Sequence, residues 1–179
     1  MKESIAVNDY AGKILEELPR GIFFSTQAHN RFNTMTIGWG SVGVEWGKPI
    51  FTAYIREGRF TKSQLDKNPE FTISVPLNHK DAAKLLGYCG SHSGRDTDKV
   101  NDTGLTLEDP EVNSVPGIKE APLTLECKVI YTQMQDYNLG LDPAIADYYP
   151  QDVPSTATGS NKDNHLMVIG EIVDAYIIK

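Results

Sequence analysis

Apolar residues recur at every second position in several short runs, and that period of two commits the chain to strands with one greasy and one polar face. Behind Pro49, Phe51, Ala53 and Ile55 alternate with Thr52, Tyr54 and Arg56, so the polar face ends on a guanidinium. Residues 70–76 repeat the pattern, with Phe71, Ile73 and Val75 on one side and Thr72 and Ser74 on the other, until Pro76 stops it. Residues 21–27, entered through Pro19, carry Ile22, Phe23 and Phe24 in succession and read as a buried strand. Residues 34–44 read as a second strand, interrupted by Gly38, Gly40 and Gly43; such glycines indicate a bulge or a close approach to the backbone, for which a ligand is one candidate. Residues 123–133 and 166–178 give two long strands rich in β-branched side chains.

Short helices fall between these strands. Over residues 60–65 the layout predicts Thr61 as N-cap, Gln64 as its capping-box partner and Phe60 packed on Leu65. Asn78 is placed to cap a second helix containing Ala82, Ala83, Leu85 and Leu86 and stopped by Gly87. A polar segment, residues 91–104, follows. Residues 136–164, with Pro143, Pro150, Pro154 and Gly159, are too long for a hairpin turn, which leaves a lid, a partner-contacting arm or a mobile loop open. Strands dominate and do not alternate regularly with helices, so the expected fold is mostly β, an antiparallel barrel whose closure removes sheet edges. The 179 residues fit one domain, 1–179, within the usual range of about 100–200 residues.

Charge and cysteine content narrow the function classes. Lys and Arg number 17 against 24 Asp and Glu, giving a net charge of -7 that repels nucleic acid on average, so any phosphate site must be local. No stretch of apolar residues is long enough to span a membrane, and residues 1–8 lack a run of apolar residues behind a basic start, so a cytoplasmic protein is expected. Cys89 and Cys127 are too few to staple a domain of this size and are read as thiols. Cys127 shares a strand face with Leu123, Leu125, Val129 and Tyr131 and reads as a small core residue.

One tempting motif fails. Gly38-Trp39-Gly40-Ser41-Val42-Gly43 matches the G-x-G-x-x-G string of dinucleotide-binding folds, but that fingerprint needs a helix at once, and residues 44–49 break the pattern. A nicotinamide cofactor, if used, is not held by a Rossmann domain.

Arg56, Arg59, Thr61, Lys62 and Ser63 converge on the helix start near residue 60, where guanidinium forks, hydroxyls and orphan amides would suit an anion. A capped helix with solvated basic side chains accounts for the same residues. Residues 89–99 pack a thiol, hydroxyls, an imidazole and charges into a glycine-bearing stretch, where a ligand loop competes with a polar turn capping a helix at Asp96. Cys89 and His92 lack the further ligands a zinc site needs, so no metal is expected. His29, His79, His92 and His165 are scattered, and no G-x-S-x-G elbow accompanies them, which argues against a hydrolase triad.

In order and spacing, residues 33–39 (NTMTIGW), 49–62 (PIFTAYIREGRFTK), 71–76, 89–99 (CGSHSGRDTDK) and 165–171 (HLMVIGE) resemble the flavin reductase-like family, particularly its flavoredoxin-like branch. The resemblance covers about residues 20–178 and implies the FMN-binding split β-barrel, Greek-key-like, with short inserted helices. It implies FMN near a homodimer interface, with Arg56, Arg59, Thr61 and Lys62 at the phosphate. Asn33, Met35, Thr36 and Trp39 would border the isoalloxazine ring, Ser93, Gly94 and Lys99 would contribute from their loop, and His165 would lie on the substrate side. It further implies hydride transfer from NADH or NADPH to the flavin, then delivery of electrons to free flavin, a ferric complex or a redox partner protein. A flavoredoxin-type carrier with tightly held FMN and a non-catalytic ligand-binding barrel are the alternatives. In each the cofactor performs the hard chemistry, so no protein acid or base is required.

Overall fold

Period-two patterning produces one antiparallel sheet of eight strands. They are β1 (Lys2–Ser4), β2 (Ile22–Ala28), β3 (Arg31–Ile37), β4 (Gly40–Glu45), β5 (Lys48–Arg56), β6 (Glu70–Val75), β9 (Leu123–Met134) and β10 (His165–Ile178); β7 (Leu107–Glu108) and β8 (Gly117–Ile118) pair separately. The computed structural model describes residues 1–153 and 162–179, so Pro154 and Gly159 of the expected connection lie outside the described residues. The strand order is β3-β2-β6-β9-β10-β5-β4, with β1 added along the end of β10. The sheet therefore begins and ends on strands that are consecutive in sequence, which gives the split barrel.

The expected strand over residues 34–44 is two strands: β3 pairs with β2, the chain breaks at Gly38 and Trp39, and β4 pairs with β5. The close approach at Gly40 is to the neighbouring strand, because a Cβ there would lie 2.6 Å from the Thr52 carbonyl oxygen. After Gly43 the chain stays in β4 and turns at Trp46 and Gly47, so the glycine string opens no helix.

Phe51, Ala53 and Ile55 point into the barrel beside Phe24, Phe71, Ile73, Val75, Leu125 and Cys127. Phe24 and Phe71 stack with ring centroids 4.5 Å apart. Phe23, on the opposite face of β2, packs with Ala82, Leu86, Cys89 and Leu105, so β2 is covered on both faces and its unbroken apolar run is explained. Cys127 is a core residue as its strand face predicts; both cysteines are free thiols. The expected face does not extend to Tyr131, which is 40% exposed, because the register against β10 skips Ile130.

Among the described residues four α-helices complete the fold: α1 (Val7–Glu17), α2 (Phe60–Leu65), α3 (His79–Ser91) and α4 (Lys99–Thr103). Among the described residues no helix is long and apolar enough to cross a membrane. Asn78 caps α3 through its side chain, accepting from the Lys80 amide. Gly87 does not stop that helix; Ala82, Leu86 and Cys89 are buried along one side and carry it to Ser91. Asp98, and not Asp96, caps α4, accepting from the Asn101 amide at 3.2 Å.

Candidate functional site

The polar face of β5 opens onto a cavity of about 920 Å³, at the upper end of the range of roughly 300–1,000 Å³ for small-molecule sites. Four stretches wall it: β3 and its exit, the end of β5 with the turn into α2, the last turn of α3 with the loop after it, and the start of β10. Antiparallel pairing of His165 with Arg56 sets these two lining residues side by side on neighbouring strands.

Ten of the eleven residues singled out from the sequence line this space: Asn33, Met35, Thr36, Trp39, Arg56, Arg59, Thr61, Ser93, Gly94 and Lys99, together with His165. Lys62 does not. It sits one position past Thr61 on α2 and pairs with Asp66 at 2.7 Å, outside the lining.

Thr61 is not the N-cap of α2. Arg59 holds that position with extended backbone, and Thr61 lies in the first turn with its hydroxyl accepting from Asn33 Nδ2 at 3.0 Å. Gln64 likewise does not reach back in a capping box; its side chain is buried against Thr26 and the Arg31 carbonyl. The amides of Phe60 and Thr61 have no acceptor among the described residues.

The two arginines differ. Arg56 is buried and donates to the carbonyls of Asp163 and Tyr148, each at 2.9 Å, while its guanidinium lies 5.1 Å from the Tyr149 ring centroid. Burial pulls its pKa down from the usual arginine value. It therefore ties Tyr148 and Asp163 to the end of β5. The Arg59 side chain has no hydrogen bond or ion pair among the described residues, although the residue is half-buried at the cavity wall.

Asn33 is 3% exposed, and its Oδ1 has no hydrogen-bond partner among the described residues. Gly94 leaves room for that oxygen, since a Cβ at position 94 would run into Asn33 Oδ1 and the Phe60 ring. Lys99 is buried with its ammonium on the carbonyls of Thr34 at 2.7 Å and Cys89 at 2.8 Å. Burial lowers its pKa to about 8. Cys89 itself is buried in the last turn of α3, where loss of solvent pushes its thiol up to about 11, so it is a packing residue.

Burial, then the nearby Arg56 charge, lowers the His165 pKa to about 4, so this imidazole is neutral near neutral pH. Its Nδ1 lies 2.6 Å from the Tyr149 hydroxyl, and its ring is 4.8 Å from that of Trp39. The Thr36 hydroxyl is committed to the Leu86 carbonyl at 2.6 Å, while Trp39 is 41% exposed beside the opening. Ser93 accepts from the Arg95 amide at 3.2 Å.

Several lining residues were not singled out from the sequence. Tyr54 follows from the same β5 alternation that marks Arg56. Asp163 accepts from the Gly58 amide at 2.6 Å, and Arg95 donates to the Gly58 carbonyl at 2.9 Å; only tertiary folding brings these together. Glu57, Asp96 and Asp163 place carboxylates at the same wall, so the site is mixed in sign, with Arg56, Arg59, Arg95 and Lys99 outnumbering them.

Residues 15–179 match the family described as flavin reductase like domain, and the chain belongs to that family. An uncharacterized protein of Archaeoglobus fulgidus is 32% identical over 98 residues, 55% of this chain and 54% of that protein, so the match spans about half the length of the relative. Among solved structures, a flavoredoxin from Methanosarcina acetivorans has a TM-score of 0.64 at 23% identity, covering 89% of this chain and 68% of that one. An FMN-binding domain of a flavin reductase-like enzyme from Shewanella baltica has a TM-score of 0.66 at 17% identity, covering 99% and 77%. These likenesses confirm the split-barrel fold.

Proposed function

We propose that the chain binds FMN in the large cavity and works as an NADH- or NADPH-dependent flavin oxidoreductase. One observation carries this reading: a cavity of fitting size presents two groups without partners among the described residues, the Arg59 guanidinium and the buried Asn33 Oδ1. A buried acceptor left unpaired costs about 1–3 kcal/mol, so a ligand that supplies a donor there is favoured. Bound FMN supplies a ring that accepts a hydride and releases electrons singly or in pairs.

Each residue then has a task. Arg59, with the amides of Phe60 and Thr61, receives the phosphate; Arg56 adds charge from behind while holding the connection in place. Lys62 is left out of the phosphate set by its pairing with Asp66. Asn33 and Thr61 act as one unit on the polar edge of the ring. The Lys99 ammonium, held by two carbonyls, supplies positive charge for the FMN anion and, once the ring is reduced, for its negative charge as well. Met35, Thr36 and Trp39 border the ring, Ser93 and Gly94 close the loop side, and neutral His165 faces the substrate.

The proposal extends to a homodimer. β4 is an edge strand on which Val44 is 75% exposed, and Trp46 in the turn after it is 60% exposed, a surface suited to a second copy. Free flavin, a ferric complex and a redox protein are the acceptors that the family resemblance implies, and free buried thiols agree with a reducing cytoplasm.

The test is an absorbance spectrum of protein mixed with FMN, followed by anaerobic NADH or NADPH. Bound flavin that bleaches supports the reading. Flavin that binds yet stays oxidised with both donors rejects the reductase, and flavin that never binds rejects the site.

A further inference from the structure

A second cavity of about 630 Å³ adjoins the first, with Gly38, Trp39 and Tyr54 forming the shared wall. Its far side comes from Leu15, Leu18 and Pro19 at the end of α1 and just beyond, and from Ile145 and Tyr148 of the 136–164 connection. The contrast with the first cavity is in charge. Arginine, lysine and carboxylate side chains line the first, whereas no charged side chain is among the described residues lining the second.

We propose that this second cavity is the electron-acceptor site and takes an uncharged, planar carbonyl compound of the quinone class. The inference rests on the flavin reading of the first cavity and adds the identity of the acceptor. Aromatic walls favour a flat ring: Trp39 meets Tyr148 edge-on at 5.2 Å, and Tyr149 stacks on Tyr137 at 4.7 Å. A charged ferric complex or a free flavin phosphate would lose its hydration here without a compensating charge. Tyr54 lines both cavities, its hydroxyl has no hydrogen-bond partner among the described residues, and it can donate to a carbonyl oxygen.

The electron balance closes with reactants already named. The quinone gains two electrons and two protons and leaves as a hydroquinone. The electrons originate in the nicotinamide donor and pass by way of the flavin; one hydrogen is the donor's hydride equivalent and the other a solvent proton. The connection thereby has a definite role, since Arg56 fixes Tyr148 and so fixes one wall of the acceptor site.

The test is calorimetric titration of FMN-loaded and FMN-free protein with menadione and with an anionic naphthoquinone sulfonate. Menadione should saturate one site per chain without displacing FMN, and the sulfonate should bind about tenfold more weakly or worse. Leu15→Arg, at a half-exposed position, and Ile145→Trp, which fills the cavity, should each weaken menadione by about tenfold while FMN affinity changes by less than about twofold. Menadione that displaces FMN, or that binds both variants as tightly as the unaltered protein, overturns the proposal. Failure of FMN to bind removes the flavin reading by itself, whereas saturable menadione binding in the FMN-free protein still supports the cavity assignment.

Discussion

Asn33 on β3 and Thr61 in the first turn of α2 are joined by a 3.0 Å hydrogen bond, the Asn33 amide donating to the Thr61 hydroxyl. Both side chains are buried, so the bond locks the turn after β5 onto the strand at the opposite side of the barrel split. It also aims the unpaired Asn33 Oδ1 along the cavity wall and takes the hydroxyl away from capping.

Thr61→Val keeps the shape and removes the acceptor, leaving a buried donor unpaired. Its cost should be about 1–3 kcal/mol, read as a lowered urea midpoint with an unchanged slope, and Thr61→Ser should recover most of it. A valine variant as stable as the parent would mean that the Asn33 amide has another partner.

Arg56 organises the connection more than it serves a ligand. Arg56→Met should release the carbonyls of Tyr148 and Asp163 and speed limited proteolysis within residues 136–164. Both FMN and riboflavin should lose affinity through the altered wall, and FMN the more, because only its phosphate also loses the charge that Arg56 adds from behind. A variant cut no faster than the parent would contradict the tether.

Lys99 makes the site sensitive to pH. Burial lowers its folded pKa to about 8 from 10.5, and an anionic ligand nearby favours the charged form, so bound ligand raises that pKa again. The protonated form binds the anion better. FMN affinity should therefore be full below about 8 and fall as pH rises above it, whereas Lys99→Met should bind more weakly and show a flat profile. Fluorescence titrations of FMN at a series of pH values read both, and an equally steep fall in the methionine variant would assign the dependence elsewhere.

The strands were legible because side chains alternate across a pleat, and that same alternation carried Tyr54 and Arg56 to the cavity face. The helix starts were less so. Thr61 has the sequence neighbours of an N-cap, but a partner 28 residues away claims its hydroxyl. Gly87 resembles a stop, and its helix cost of about 1 kcal/mol is offset by the buried side of α3. The spacing of Val7, Tyr10 and Ile14, continued by Leu18 just beyond, marks the buried face of α1 in the sequence itself. No local pattern could place Tyr149 against His165 or pair Arg56 with two carbonyls, because those contacts exist only once the connection has folded back.

The central claim is that Arg59, unpaired among the described residues, meets the phosphate of FMN. The most direct measurement compares FMN and riboflavin affinities in the parent and in Arg59→Ala. The substitution should weaken FMN by about tenfold or more and riboflavin by less than about twofold, because only FMN carries the phosphate. Equal losses for both ligands would contradict it.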